Sequence, residues 1–139
     1  MGKSARLLFL SVCLVLAGAA VALADPAQDF QTAIAAIKAG DMDKAIVALN
    51  LVVEAEASLP ARQLSNAYNV RGMCYEEQKK DQEALADYSK AIEVYDKSSE
   101  ALGNRSLLYY KLGEMDKAKA DAVAARRIDR KVKVPEFDK

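Results

Sequence analysis

The sequence predicts an all-α chain built from three helical hairpins, and three observations carry that reading. The block KAGDMDKA at residues 38–45 returns as KLGEMDKA at residues 111–118, with six of its eight letters identical. A weaker copy, QKKDQEA, lies between them at residues 78–84. Aligned on Ala45, Ala84 and Ala118, the copies are 39 and 34 residues apart, so a 34-residue period carries a five-residue insertion after its first unit. Within the middle unit, apolar positions recur at three- and four-residue steps twice over. Leu64, Ala67, Tyr68, Gly72 and Tyr75, with Arg71 in the same series, form one stripe, and Ala84, Leu85, Tyr88, Ala91 and Ile92 form the next. One apolar stripe per segment is the pattern of an amphipathic helix, and two per repeat make a hairpin.

In chain order, residues 1–24 stand apart. Lys3 and Arg6 are the only charges before Asp25, an apolar run begins at Leu7, and Ala22-Leu23-Ala24 closes it. That is the layout of a secretory signal peptide, cut between Ala24 and Asp25. An uncleaved membrane anchor and a lipoprotein signal at Cys13 are the alternatives. For the second, Val12 stands where a small residue is expected.

The first unit is read over residues 26–59, the second over 65–98, the third over 99–132, with an inserted turn at 60–64 and a tail at 133–139. Asp25 can cap the opening helix, Pro26 suits its first position, and Gln28 can close a capping box. Gly40 and Gly113 sit between paired helices, where a left-handed residue ends the first, and Asp41 can cap the second. The middle unit has Lys79 at the glycine position, which implies strain or a different turn. Ser58 and Pro60 suggest that the insertion lengthens the middle unit's first helix, to about Leu59–Lys79. Ser98 can cap the third unit's first helix, with Glu100 favourable in its first turn. Pro135 forbids a long closing helix, so the last helix, KAKADAVAARR with few large apolar residues, is expected to cover its own outer face.

Composition narrows the function. Without Lys3 and Arg6, the 20 basic residues of the chain fall to 18 against 20 acidic ones, so the whole molecule is not steered to nucleic acid or anionic lipid. Histidine is absent, which removes the commonest general base and transition-metal ligand. Of the two cysteines, Cys13 leaves with the signal, and Cys74 alone cannot form an internal disulfide. Glu76 and Glu77 beside it disfavour a thiolate, so Cys74 reads as a small core residue. No glycine-rich phosphate loop occurs. The carboxylate pairs Glu76/Glu77 and Asp41/Asp43 fit a solvated helix face and a helix start. No catalytic residue, metal or cofactor is expected.

The units resemble the tetratricopeptide repeat. Tyr68, Gly72, Tyr75, Ala84, Tyr88 and Ala91 in the middle unit carry the resemblance. So do Leu102, Ser106, Tyr109, Gly113, Ala118, Ala122 and Ala125 in the third. The first unit diverges on its opening helix and regains the pattern at Gly40, Ala45 and Leu49. The resemblance covers about residues 26–130 and implies a right-handed superhelical array of helical hairpins, an α-solenoid; a plain antiparallel bundle is the competing fold.

The resemblance further implies an adaptor whose first helices line a concave groove that holds a segment of another protein. Carried onto this chain, the groove residues are Phe30, Ile34, Asn66, Asn69, Met73, Glu76, Glu77, Leu107, Tyr110 and Lys111. A branch of the family grips a C-terminal carboxylate with cations. This chain offers Phe30, Ile34, Val70, Glu100 and Asn104 there, and only the asparagine fits. An apolar or aromatic segment with basic residues is the expected ligand. Arg126, Arg127, Arg130 and Lys131 form a basic cluster, either a helix end complementing its dipole or a docking patch for an acidic partner. The function expected is a non-catalytic, exported interaction module of a periplasm or cell envelope. The alternative is a self-associating structural component using its open ends as a homo-oligomer. Nucleic acid is not an expected partner, and membrane contact would come only through an uncleaved signal.

Overall fold

The computed structural model describes residues 25–137; residues 1–24, on which the signal-peptide expectation falls, and residues 138 and 139 lie outside the described residues. Six α-helices follow one another: α1 Pro26–Lys38, α2 Met42–Glu54, α3 Ala61–Glu77, α4 Asp81–Val94, α5 Ser99–Lys111 and α6 Met115–Ile128. No strand occurs among the described residues. Each helix packs on its neighbours in sequence, and α5 also touches α3. The hairpins α1–α2, α3–α4 and α5–α6 therefore stack in chain order, with the first helices α3 and α5 side by side.

The three hairpin turns are the same turn. Gly40, Lys79 and Gly113 all take the left-handed conformation, at φ 77°, 62° and 80°. The amide after each reaches back to close the helix: Asp41 N to Ala36 O, Lys80 N to Tyr75 O and Glu114 N to Tyr109 O, each at 2.9 Å. This is the reciprocal C-terminal cap that satisfies orphan carbonyls. Lys79 thus adopts the glycine geometry and bears its strain. Asp41 caps α2 by accepting from Lys44 N at 3.0 Å, and Asp25 caps α1 by accepting from Ala27 N at 3.0 Å.

The insertion lengthens α3, as expected: this helix has 17 residues against 13 in α1 and in α5. It runs Ala61–Glu77, two residues short of Leu59 and Lys79 at either end, and a single 3-10 turn over Glu56–Ser58 precedes it. Pro60 sits at the N-cap with ψ 141°, outside the helix, and Ser58 turns back to donate to Ala55 O at 2.8 Å. Ser98 does stand at the N-cap of α5, but its hydroxyl makes no capping bond.

The core uses small residues where helices cross and large ones between hairpins. Ala33, Ala45, Ala67, Ala84, Ala91, Ala101, Ala118 and Ala125 are fully buried, and Leu49, Tyr88 and Leu108 fill the spaces around them. Cys74 is buried, as its sequence setting suggested. Two arginines tie hairpins together. Arg71 on α3 forms a two-pronged pair with Asp87 on α4, at 2.8 and 2.7 Å, and donates to Asn50 on α2 at 2.9 Å. Arg105 repeats the arrangement one period later, with Asp121 on α6 at 2.7 and 2.9 Å and Ser89 on α4 at 3.0 Å. Each guanidinium therefore joins three helices across the boundary between units.

The end of the array corrects the expectation that α6 covers itself. After Ile128 the chain turns, with Lys131 N donating to Asp129 at 2.9 Å, and runs back in extended form. The backbone of Lys133 passes over Gly103, and Phe137 reaches Tyr110 further along the same helix with ring centroids 5.7 Å apart. The strap therefore runs parallel to α5. Val132, Val134 and Phe137 pack with Leu102, Ala122 and Ala125. In the two inner boundaries that place is taken by the first helix of the next hairpin. Here an extended segment with apolar residues at alternate positions, Val132 and Val134, does the same work without a seventh helix.

Candidate functional site

The first helices carry three depressions in a row. The first is an apolar notch of about 210 Å³ between α1, the inserted turn and the start of α3, walled by Pro26, Ala27, Phe30, Val52 and Leu59 and edged by Gln31, Gln63 and Asn66. The second is a polar cleft of about 700 Å³ between the starts of α3 and α5, lined by Arg62, Gln63, Ser65, Asn66, Asn69, Tyr95, Lys97, Ser98, Ser99, Glu100 and Ile128. The third, about 270 Å³, lies between the ends of those helices and is lined by Met73, Glu76, Glu77, Lys79, Tyr88, Asn104, Leu107 and Lys111. The first two share Gln63 and Asn66. The last two meet where Asn104 Nδ2 donates to Asn69 Oδ1 at 3.0 Å.

Phe30 therefore lies in the notch, Asn66 between notch and cleft, and Asn69 in the cleft floor. Met73, Glu76, Glu77, Leu107 and Lys111 line the third depression. Two of the groove residues proposed from sequence fall elsewhere. Ile34 is half-buried on α1 and lines none of the three. Tyr110 is 41% exposed and lines none of the three; its ring meets Phe137 of the strap edge to face. Asn69 is only 6% exposed, because its slot faces α5 and not open solvent. Glu76 accepts from the Tyr88 hydroxyl at 2.9 Å, and Lys111 Nζ lies 3.2 Å from Asp81. Arg126, Arg127, Arg130 and Lys131 are all exposed and in no ion pair among the described residues, two of them in the last turn of α6.

Val52, Leu59 and Gln63 were not foreseen in the notch. Val52 comes from a second helix and Leu59 from the insertion, outside the first-helix slots on which the sequence reading placed the groove, and Gln63 comes from the first turn of α3, ahead of those slots. The five extra residues were the available signal. Burial raises the Cys74 thiol above its ordinary value, so it stays protonated at neutral pH. No group of three or more His, Cys, Asp or Glu among the described residues is placed to hold a metal ion.

Tyr88 sets a pH limit. Burial, and then the charge and hydrogen bond of Glu76, push its phenol well above the ordinary value. The folded state holds this proton more tightly than the unfolded chain does. Its contribution is complete below the unfolded value of about 10 and falls as pH rises beyond it. Urea midpoints measured from pH 8 to 11.5 should drop above about pH 10. Tyr88→Phe, which has nothing to ionise, should show a shallower decline.

Comparison with known proteins supports the fold and the repeat. The family described as Tetratricopeptide repeat matches residues 65–98 and, through a second model of it, residues 99–131. No curated protein matches. The Arabidopsis OM64 TPR domain is similar with a TM-score of 0.68 and 21% identity, over 76% of this chain and 83% of that one. MamA gives 0.67 and 20%, over 77% and 60%. A tetratricopeptide repeat protein from Parabacteroides merdae gives 0.68 and 26%, over 76% and 40%. This chain thus spans less than two thirds of the latter two. With six helices in three stacked hairpins of this register, and two successive units matched, the chain belongs to the tetratricopeptide repeat family.

Proposed function

We propose that the protein is a non-catalytic adaptor, exported to a periplasm or cell envelope, that holds an extended segment of a partner protein along the trough. The observation that carries this reading is the continuity of the three depressions across Asn66 and the Asn69–Asn104 pair. After bonding each other, the two asparagines keep Nδ2 of Asn69 and Oδ1 of Asn104 without a partner among the described residues. A spare amide donor and a spare amide acceptor match the backbone of a peptide, whose N–H and C=O need such partners when taken from water. The apolar notch supplies an anchor, and a few such anchors carry most of an interface's binding energy. Export rests on the signal-like residues 1–24 of the sequence.

The test compares the protein with a Phe30→Ala/Met73→Ala variant in cross-linking capture from the producing cell's envelope. Both side chains line the trough, and neither belongs to the fully buried core. The variant should keep its helical circular dichroism and lose its partner. Equal retention by both forms would overturn the groove reading. The mass of the recovered protein should correspond to a chain beginning at Asp25. A mass that includes residues 1–24 would overturn cleavage.

A further inference from the structure

We propose that the trough selects its ligand by the order of charges along it: a large apolar side chain in the notch, then an acidic side chain in the cleft, then a basic side chain beside Glu76 and Glu77. This rests on the groove reading above and specifies its partner.

The cleft is built for an acceptor that the chain does not itself provide. Two cations, Arg62 and Lys97, line it against one carboxylate, Glu100, which already accepts from Ser99 Oγ at 3.1 Å. The start of α5 opens into it without a side-chain cap. Ser98 at that cap position is 8% exposed, and its hydroxyl has no partner among the described residues. Asn69, 6% exposed, brings its free Nδ2 to the same cleft. Ser99 N already donates to Lys97 O at 3.0 Å. A carboxylate placed there would accept from these groups and from the first-turn amides of Glu100 and Ala101, and it would lie at the positive end of the helix dipole.

The third depression has the opposite character. Of its two cations, Lys111 is paired with Asp81, which leaves Lys79 against Glu76 and Glu77. One oxygen of Glu76 takes the Tyr88 hydroxyl, and Glu77 is exposed with no partner among the described residues. A basic side chain completes that site.

The helix sets the spacing. Asn66 at the notch and Glu77 at the far end both lie on α3, eleven residues apart. At 1.5 Å per residue this is about 16 Å. An extended peptide covers it in about five residues. The basic side chain therefore lies about five positions from the apolar anchor, in one chain direction or the other, with the acidic one between them. The strap over Gly103 and Tyr110 closes the far side of α5, so the path stays on the seam between α3 and α5.

The experiment is selection of a random nonapeptide phage library on the purified protein, with Phe30→Ala/Met73→Ala as counter-screen. Enriched peptides should show apolar, acidic and basic residues in that order, in one chain direction or the other. Exchanging the acidic and basic residues of one enriched peptide should weaken its calorimetric affinity about tenfold. On Lys97→Glu/Glu77→Lys, the exchanged peptide should bind more tightly than the original. Peptides that need the notch yet bind equally after the exchange would overturn the charge order and leave the groove reading standing. Peptides that bind the counter-screen variant equally, or no enrichment at all, would overturn both.

Discussion

Asp87→Ala is expected to destabilise the protein by about 3–5 kcal/mol, the usual cost of stripping one partner from a buried ion pair. The Arg71 and Asp87 side chains are 16% and 8% exposed. Removing the carboxylate leaves the guanidinium between the rings of Tyr68 and Tyr75, at 5.4 and 6.0 Å, with Asn50 as its only remaining oxygen among the described residues. The hydrogen bond and charge of Asp87 raise the Arg71 pKa in the intact pair; without them the guanidinium is still too weak an acid to discharge, so the cation stays buried and uncompensated. The loss should exceed that of Asp121→Ala. Arg105 and Asp121 are slightly more exposed, at 20% and 11%, and their clamp holds the terminal hairpin, whereas the Arg71 clamp holds the first boundary. It should far exceed that of Asp81→Ala. Asp81, 24% exposed, pairs with Lys111, 46% exposed, a setting worth about 1 kcal/mol or less. Urea unfolding followed by circular dichroism measures all three. Arg71→Met/Asp87→Leu removes both charges and should cost less than Asp87→Ala. A pair of that size lost without penalty would mean that the hairpins are held by apolar contact alone.

These clamps were legible and went unread. Arg71 and Arg105 stand 34 residues apart, as do Asp87 and Asp121, and each Arg precedes its Asp by 16 residues. A charge repeating with the period of the fold is not a solvated face. The first unit has Thr32 and Ala48 at the corresponding places, so the device begins only where there is a preceding hairpin to hold. Helix periodicity, the three turns and the alanine crossings could all be read, because each depends on residues close in sequence. Lys79 shows the limit of local propensity: the repeat imposes the left-handed turn on a residue that disfavours it. The strap could not be placed in the same way. Nothing local to VKVPEF says which face it covers; that depends on the apolar seam left by Leu102, Ala122 and Ala125. For the same reason the contact of Tyr110 with Phe137 was not legible.

Gly103→Ala should reverse the sign of its effect depending on whether the strap is present. Inside a helix this exchange normally stabilises by up to about 1 kcal/mol, because glycine loses more backbone freedom on folding. Here a Cβ on residue 103 would meet the carbonyl oxygen of Lys133 at 2.6 Å and Val132 Cγ2 at 2.9 Å. The first of these is backbone and cannot swing aside, so the strap must lift. Lifting it uncovers Val134, which is 9% exposed, and loosens Phe137 from Tyr110. Each fully buried side chain of this kind is worth about 1.5–3 kcal/mol, against about 1–2 kcal/mol per residue for ordering the backbone. In the full chain the substitution should therefore cost about 1–2 kcal/mol net. In a chain ending at Arg130 the obstacle is gone, and the same substitution should stabilise by about 0.5–1 kcal/mol. Thermal melts of the four proteins in this cycle give the coupling directly. Opposite signs would establish that the strap covers α5 in solution and that Gly103 is there to admit it. If Gly103→Ala stabilised both backgrounds equally, the strap would not rest on α5, and the end of the array would be open to another molecule.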